Sequence, residues 1–373
     1  MHSYFEIKIC ETHFKGKLYF CDMNRLRKLL LPFSIVYGSV LALRNLFYDK
    51  GWFESKSYAT PIICIGNLSI GGTGKSPMIE YLISFLKEDY KVAVLSRGYK
   101  RKTNGFREVI INSTAEDVGD EPLQFKRKFP EIMVVVCADR QEGIEKIRIK
   151  ADVILLDDAF QHRKVNASTN ILLTTFNDLY VHDMVLPAGN LRESIRGAKR
   201  ADIVMVTKCP EKHSYAKLQE IQNILNLRSE QKIYFSKIIY DKSIFGISET
   251  LPLNYLLNKN FTLVTGIANP KPLVEFLKQN QFNFEHKKFP DHHHFSDSEI
   301  KNFKEKEIIL TTEKDFVRLQ PILNKFAVYY LPIKIAILKS QEKFFKEYIR
   351  IRFGVLFRIV PIEIFNSFKD FFR

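Results

Sequence analysis

From residue 61 onward, short apolar runs alternate with longer segments of helical periodicity. The apolar runs are rich in β-branched residues, and several end in polar side chains, which is typical of buried strands. They predict strands at 62–66, 92–96, 132–138, 153–158, 170–176 and 202–208. Because near-continuous apolar strands are buried on both faces, this part of the chain predicts a doubly wound, mostly parallel α/β sheet covered by helices on both sides.

A second, smaller α/β block follows a polar stretch at 254–260. The pattern predicts further strands at 261–266 and 307–312 and a helix at 340–353. A chain of 373 residues is long enough for more than one core. We therefore predict a main domain over 61–250 and a smaller C-terminal α/β domain over 251–373.

The N-terminal region carries a basic cluster at 25–28 followed by an uncharged stretch at 29–43. This stretch is shorter than the roughly 20 residues of a membrane-spanning helix, and Pro32 and Gly38 interrupt it. We predict that 23–60 forms an interfacial helix that lies on a membrane surface. Two alternatives stay open: a secretory signal peptide, although no small-residue cleavage site follows, and an amphipathic helix packed on the main domain.

The amino-acid composition limits the possible cellular locations of the protein but does not identify its binding partner. The formal net charge of +15 predicts attraction to polyanions, which include nucleic acid, anionic lipids and phosphorylated substrates. The five cysteines are an odd number and form no CxxC pair, so they indicate neither a disulfide framework nor a zinc site. This cysteine content favours a reducing, cytosol-facing location. Residues 1–22 show no clear pattern, and Met23 is a candidate for the true start.

A glycine-rich segment stands between a predicted buried strand and a predicted helix, the context that a phosphate-binding loop requires. Its residues are Gly71, Gly72, Thr73, Gly74, Lys75 and Ser76. Backbone N–H groups of such a loop surround phosphate oxygens, the lysine reaches the β- and γ-phosphates, and the hydroxyl can bind Mg²⁺. Ser69 replaces the first glycine of the usual pattern, so the loop is a variant form.

Two carboxylates end a predicted strand. Asp157 and Asp158 close the strand at 153–158, which places them at the carboxyl edge of the sheet beside the phosphate loop. A carboxylate there can bind Mg²⁺ directly or through water, together with Ser76. The alternative, that an aspartate only caps the next segment, is reasonable for one of the pair.

Two further polar clusters have no single interpretation from the residues alone. The acidic cluster at 117–122 lies before a helical pattern, so it is either a helix cap or a carboxylate that orients or deprotonates a hydroxyl group. The run at 289–295 contains three adjacent histidines. Neighbouring side chains on an extended chain point in alternating directions, which favours a catalytic imidazole, steered by Asp291, over a metal site.

Seven motifs together resemble the tetraacyldisaccharide 4'-kinases in order and spacing over about residues 23–353. They are GNLSIGGTGKSP, SRGYKR, VGDEP, DDAFQHR, LPAGNLRES, FPDHHHF and TTEKD. The resemblance implies ATP and Mg²⁺ as cofactors and transfer of the γ-phosphate to the 4'-hydroxyl of an acylated glucosamine disaccharide 1-phosphate, in lipid A biosynthesis. It also implies a location at the cytoplasmic face of the bacterial inner membrane, where basic residues and an interfacial helix meet an anionic lipid.

The resemblance assigns roles to particular residues. It implies that Asp120 is the catalytic base and His292 its partner. It implies substrate, phosphate or metal contacts in the DDAFQHR, LPAGNLRES and ADR segments, with Glu193 as a metal ligand and Arg140, Gln161 and Arg192 as substrate or phosphate contacts. Three departures, Ala159 for glycine, Ser194 for proline and Ser76 where threonine is also common, remove no reacting group.

Other functions remain as alternatives. The main one is a membrane-associated P-loop ATPase or GTPase that phosphorylates no lipid. GTPases generally carry an NKxD-type reader of guanine, and the nearest segment here, at 206–210, lacks the aspartate, so ATP is favoured. A nucleotide-dependent binding module is a third possibility. No aromatic-interleaved basic motif supports nucleic-acid binding, and no protein partner is implied.

Overall fold

The computed structural model describes residues 27–291, 293 and 295–352, and it confirms the predicted α/β fold. Met23, the candidate start, and the extension at 1–22 lie outside the described residues. The strands are β1 (Ile62–Asn67), β2 (Val92–Ser96), β3 (Arg107–Glu108), β4 (Met133–Val136), β5 (Val153–Asp157), β6 (Thr169–Thr175), β7 (Ile203–Thr207), β8 (Lys232–Tyr240), β9 (Ser243–Phe245), β10 (Thr250–Pro252), β11 (Phe261–Thr265), β12 (Phe284–Lys288), β13 (Ile309–Thr311), β14 (Val328–Tyr330) and β15 (Ile333–Ile337).

Ten α-helices belong to the described part of the chain. They are α1 (Leu31–Asp49), α2 (Lys75–Leu86), α3 (Ala115–Val118), α4 (Asp120–Lys128), α5 (Arg140–Ile147), α6 (Tyr215–Leu225), α7 (Lys271–Gln279), α8 (Asp297–Lys304), α9 (Glu313–Leu319) and α10 (Lys339–Ile351). Short 3-10 helices lie at Tyr180–His182, Ile195–Arg200 and Leu253–Leu256.

The first sheet has the strand order β15-β8-β7-β6-β1-β5-β2-β4-β3. All of its neighbouring strands are parallel except the two edge pairs, β15 with β8 and β3 with β4. Every residue of β1, β2, β5 and β7 is buried, as expected for strands covered on both faces. The predicted strands coincide with β1, β2, β4, β5, β6 and β7 within a few residues at each end.

The second sheet has the order β10-β9-β14-β13-β11-β12. Its four strands β11–β14 are parallel, and β9 and β10 form an antiparallel edge. One side of this sheet packs around buried residues such as Leu263 and Leu277, and the other packs around Phe303 and Leu319. The smaller unit therefore has its own core.

The division of the chain into 61–250 and 251–373 differs from the observed arrangement. β15 pairs antiparallel with β8, so the chain returns to the first sheet after completing the second. Phe345 of α10 belongs to the core of the first sheet. Conversely, β9 precedes residue 250 and belongs to the second sheet. The second unit is therefore an insertion between strands of the first sheet, which a division by sequence position does not describe.

Helix α1 lies on the loops near the carboxyl edge of the first sheet. Ser34 is its one buried residue, and the Ser34 hydroxyl accepts the backbone N–H of Ala188 at 2.9 Å. Most of its large apolar side chains are exposed. Within the described residues, no helix combines the length and the apolar content that crossing a bilayer requires.

Candidate active site

The phosphate-binding loop connects the end of β1 to the start of α2. Gly71 and Gly74 have φ angles of 129° and 93°, a backbone region that glycine adopts readily and other residues do not. The Thr207 hydroxyl, at the end of β7, donates to the Thr73 carbonyl at 2.7 Å and fixes the loop to the sheet. The Lys75 ammonium lies 3.4 Å from Asn67 Oδ1. The predicted strand-loop-helix context is thus present.

Helix α4 runs beside α2 and brings the carboxylate of Glu121 to the phosphate-binding loop. The Ser76 hydroxyl donates to Glu121 Oε1 at 2.9 Å, and one turn later Gln124 donates to Glu80 Oε1 at 2.7 Å. Gly119, with φ of 92°, directly precedes α4, and a methyl group there would lie 3.1 Å from the Tyr99 carbonyl. Glu121 was missed by sequence reasoning, although its place beside Asp120 in the VGDEP motif was a signal.

Asp157 ends β5 and is 2% exposed. Its Oδ2 accepts the Ser96 hydroxyl at 2.8 Å, while its Oδ1 has no hydrogen-bond partner within the described residues. Burial, assisted by the negative charges of Glu121 and Asp158, raises the pKa of Asp157 to about 7. A buried oxygen without a partner at the carboxyl edge is a suitable ligand for a hard cation.

Asp158 lies in a different environment from its neighbour. It adopts a φ of 46° and its side chain is about one-third exposed. Arg192 Nη1 donates to both Asp158 oxygens at 2.9 Å, and the Lys75 ammonium is 3.6 Å from Asp158 Oδ1. Asp158 therefore holds the side chains of Arg192 and Lys75 beside the phosphate-binding loop.

Glu193 is buried with both oxygens engaged. Its Oε1 accepts Gln161 Nε2 at 3.1 Å and Arg200 Nη2 at 2.7 Å, and its Oε2 accepts Asn45 Nδ2 at 2.9 Å. Gln161 Nε2 also donates to the Asn67 carbonyl at 2.9 Å. In this structure Glu193 joins α1 to the loops around the end of β1.

Arg140 is 3% exposed and supports the ends of two strands. Its Nη1 donates to the Cys137 and Ala138 carbonyls at 3.0 and 3.1 Å, and its Nη2 lies 3.4 Å from the Asp157 carbonyl. Its Nε has no partner within the described residues. Arg140 therefore lies beside the carboxyl end of β5, where Asp157 and Asp158 are.

Asp120 is the first residue of α4 and meets the second unit. Arg318 of α9 donates to Asp120 Oδ2 through Nε at 3.2 Å and also through Nη2. His292, the expected partner of Asp120, lies outside the described residues. Its neighbour His293 stacks on Phe289 and makes an Nε2–Oε2 contact of 2.9 Å with Glu299. The contacts with Phe289 and Glu299 thus hold the His293 ring in place.

The donor set fits a magnesium ion that arrives with a nucleotide. Among the described residues, no group of three or more His, Cys, Asp and Glu side chains is arranged to hold a metal ion by itself. Asp157 Oδ1 and the Ser76 hydroxyl would supply oxygen ligands, and phosphate and water oxygens would supply the rest of such a shell. This arrangement is typical of P-loop enzymes, in which Mg²⁺ bridges protein and phosphate.

Lys208 is a second residue that sequence reasoning did not assign to the site. It follows β7 with a φ of 57°, and burial lowers the pKa of its ammonium group. A methyl group on Gly72 would lie 3.9 Å from Lys208 Nζ, so this cation faces the phosphate loop. The available signal was its place directly after a predicted strand, the same edge that carries the two aspartates.

Comparison with curated proteins gives relatives of similar length. The chain is 49% identical over 328 residues to the tetraacyldisaccharide 4'-kinase of Flavobacterium johnsoniae, an alignment that covers 86% of this chain and 96% of that protein. It is 44% identical over 352 residues to the tetraacyldisaccharide 4'-kinase of Bacteroides thetaiotaomicron, with coverage of 87% and 93%.

A solved structure and a family model agree with these relatives. The crystal structure of LpxK from Aquifex aeolicus in complex with ATP matches with a TM-score of 0.72 and 33% identity, covering 87% of this chain and 99% of that one. The model of the family described as tetraacyldisaccharide-1-P 4'-kinase matches residues 26–352. The resemblance drawn from the seven motifs is confirmed, and the chain belongs to the tetraacyldisaccharide-1-P 4'-kinase family.

Proposed function

We propose that this chain transfers the γ-phosphate of ATP to the 4'-hydroxyl of a tetraacyldisaccharide 1-phosphate with Asp120 as the base. The chain is an ATP-dependent kinase of lipid A biosynthesis by its family. The observation that supports the residue roles is the bond between Ser76 and Glu121, which holds the start of α4, and so Asp120, against the phosphate loop.

The phosphate loop and the carboxyl edge of the first sheet hold the nucleotide in this proposal. Backbone N–H groups from Gly71 to Ser76 surround phosphate oxygens, and Lys75 and Arg192 place positive charge beside them. Ser76 and Asp157 would hold Mg²⁺, and the bound ion would neutralise charge on the phosphate oxygens. Glu193, Gln161 and Arg140 keep the surrounding loops in place through the contacts described above.

Asp120 accepts the proton of the attacking hydroxyl, with His292 as the partner that the family resemblance implies. General-base catalysis requires a carboxylate within hydrogen-bond reach of the hydroxyl when the substrate is bound. In a kinase the same contact also orients the hydroxyl toward the γ-phosphate. Both effects act on turnover more than on nucleotide affinity.

A labelled-ATP assay tests the reaction and the base together. With Mg²⁺ and detergent-dispersed disaccharide, label on the lipid supports the kinase, whereas label only in free phosphate supports an ATPase. We expect Asp120→Asn and His292→Ala each to lower kcat by about 10²-fold to 10⁴-fold at nearly unchanged ATP affinity. The matched control is Glu116→Gln, which removes an exposed carboxylate from α3. Turnover near the wild-type value in Asp120→Asn would exclude the base role.

The proposal includes a membrane surface at the cytoplasmic face of the inner membrane as the place of reaction. Helix α1 exposes a set of apolar side chains whose exposed fractions range from 39% to 66%: Leu31, Phe33, Ile35, Val36, Tyr37, Val40, Leu43 and Leu46. The net charge of +15 favours anionic lipid. An apolar helix face combined with basic charge is typical of interfacial binding.

Flotation with liposomes containing anionic phospholipid tests this surface. We expect Ile35→Glu to lower the bound fraction while ATP affinity is retained, because the charge must be dehydrated to enter the interface. The control is Ile149→Glu, at an isoleucine that is 80% exposed outside α1. Equal liposome binding by both variants and the wild type would contradict the α1 surface.

A further inference from the structure

Helix α9 belongs to the second unit but contacts the first at several points. Lys128 of α4 makes ion pairs with Glu80 at 2.6 Å and with Glu313 at 3.0 Å. Arg127 Nη1, also on α4, donates to Gln320 Oε1 at 2.7 Å, directly after α9. These contacts fix α9 against the helix that begins with Asp120. The TTEKD motif, whose last three residues begin α9, has no role in the reaction described above.

Arg318 is the α9 residue that reaches Asp120 itself. Its side chain is 10% exposed and that of Asp120 is 17% exposed, so the pair is largely shielded from water. Two N–H groups of the Arg318 guanidinium, on Nε and Nη2, donate to Asp120 Oδ2. An exposed ion pair contributes little, but a shielded, charge-assisted pair with two donors fixes the orientation of a carboxylate.

Arg318 is in turn anchored inside the second unit. Its Nη1 lies 3.6 Å from Oδ1 of Asp315, which is fully buried. Asp315 Oδ2 accepts the Gly266 backbone N–H at 2.8 Å and the Thr312 hydroxyl at 2.7 Å. The position of Arg318 therefore depends on the loop that follows β11.

The same anchor touches the segment that leads to the three histidines. A methyl group on Gly266 would lie 2.9 Å from Asp315 Oδ1 and 3.3 Å from the Pro290 carbonyl. The Lys314 ammonium lies 3.3 Å from Asp291 Oδ1. Lys314 and Arg318, one helical turn apart on α9, thus contact the segment before the histidines and Asp120, respectively.

We infer that Arg318 is a positioning residue that aims the Asp120 carboxylate at the acceptor hydroxyl. The inference rests on the proposed role of Asp120. Engagement of Oδ2 by two N–H groups fixes the plane of the carboxylate, and so the direction of its other oxygen. Because Asp120 and Arg318 belong to different units, the base is aligned only when the second unit is docked on the first.

Steady-state kinetics of Arg318 variants test the inference. We expect Arg318→Met to lower kcat by roughly 10-fold to 100-fold with the KM for ATP changed less than about twofold, since misplacement of a base affects turnover. Arg318→Lys keeps the charge and one donor, and should recover at least about fivefold of that loss. ATP affinity and melting temperature establish folding; if Arg318→Met does not fold, Arg318→Lys carries the test through an intermediate kcat.

Arg127→Met is the matched control, because it removes a contact between the same two helices without touching Asp120. It should keep kcat within about threefold of wild type. An equal loss in Arg127→Met and Arg318→Met would show that Arg318 only docks the second unit and would overturn the inference. A wild-type kcat in Arg318→Met would also overturn the inference. If Arg318→Met does not fold, a wild-type kcat in Arg318→Lys would overturn it.

A double-mutant cycle separates action through Asp120 from direct contact with phosphate. Single-turnover assays with enzyme in excess of labelled ATP extend the measurable range of slow variants. If Arg318 acts through Asp120, the double variant Asp120→Asn/Arg318→Met should be no slower than Asp120→Asn alone. Multiplied losses would assign Arg318 to the transferring phosphate and overturn the inference. Wild-type turnover in Asp120→Asn, in contrast, would refute the proposed base itself.

Discussion

At the scale of single residues, two adjacent aspartates have different physical states. Asp157 is buried, has one oxygen without a partner in the described part of the chain, and has a pKa raised to about 7. Asp158 is partly exposed and is paired with Arg192 and Lys75. The difference arises because Asp157 is the last residue of the buried strand β5, whereas Asp158 follows the strand with a left-handed backbone that turns it toward the two cationic side chains. We therefore expect Asp157, rather than Asp158, to bind the metal ion.

Asp157→Asn should raise the Mg²⁺ concentration for half-maximal activity by at least about tenfold, because a neutral amide is a weaker ligand for a hard cation. The measurement is a Mg²⁺ titration of lipid phosphorylation at saturating ATP. Asp152→Asn is the control, since Asp152 precedes the amino end of the same strand and accepts the Lys91 N–H at 2.8 Å. An unchanged Mg²⁺ requirement would remove Asp157 from the metal site.

At the scale of elements, α1 contributes to the site as well as to the surface. Asn45 donates to Glu193, the Tyr37 hydroxyl donates to the Arg192 carbonyl at 3.3 Å, and Arg44 Nη2 donates to the Gln161 carbonyl at 3.2 Å. The exposed apolar face and the contacts with the site lie on one helix. The alternative of a helix packed on the main domain and the prediction of an interfacial helix are thus compatible.

Asn45→Ala should lower the free energy of unfolding by about 1–3 kcal/mol, because it leaves a buried carboxylate with one donor fewer. Urea denaturation followed by circular dichroism measures the change. Leu46→Ala, at the neighbouring position that is 45% exposed, serves as the control and should have a smaller effect. Equal stability of Asn45→Ala and wild type would mean that the Asn45 contact does not stabilise the fold.

At the scale of the whole molecule, the last described segments complete the first sheet. Phe345 of α10 is fully buried and lies against Tyr234 of β8, with ring centroids 5.1 Å apart. It also lies 6.1 Å from the ring of Tyr81 on α2, the helix that begins at the phosphate loop. The core of the first unit therefore combines residues that precede the inserted second unit with residues that follow it.

Phe345→Ala should destabilise the protein by about 3–5 kcal/mol, the usual cost of a phenylalanine-sized cavity. Lys343→Ala on the same helix, where the lysine side chain is 83% exposed, should change stability by less than about 0.5 kcal/mol. Chemical denaturation of both variants compares them directly. A small effect of Phe345→Ala would show that α10 is not part of the cooperative core.

The contact between the two units predicts a pH dependence of stability. Burial, with the nearby charge of Glu80, raises the pKa of Glu313 from 4.5 to about 7. A carboxyl group with a raised pKa contributes stability below its unfolded pKa and loses that contribution as the pH rises through the folded value. Glu313 should therefore contribute less stability at about pH 8 than at about pH 4.5.

Glu313→Gln should reduce the loss of stability with rising pH, because the amide cannot ionise. Melting temperatures of the variant and the wild type between about pH 5 and pH 8 measure it. Glu116→Gln again removes an exposed carboxylate as a control and should leave the slope of the wild type intact. An unchanged slope in Glu313→Gln would mean that other groups set the dependence.

The sequence by itself determined the fold class, the phosphate loop and the two aspartates at the end of β5. These features depend on neighbours in the chain: apolar periodicity fixes a strand, glycines permit the loop conformation, and the end of a parallel strand fixes the edge on which the next residues lie. The family could be identified because the order and spacing of its motifs can be read directly from the sequence.

The tertiary structure alone decided which distant residues meet. Nothing near Arg318 in sequence indicates Asp120, nothing near Asn45 indicates Glu193, and the short β15 gives no sign that it rejoins the first sheet. Such contacts depend on how two separately formed cores pack, and side chains separated by a hundred or more residues leave no local periodicity. The sequence therefore specified the chemistry of the site, and long-range packing specified how that chemistry is aligned.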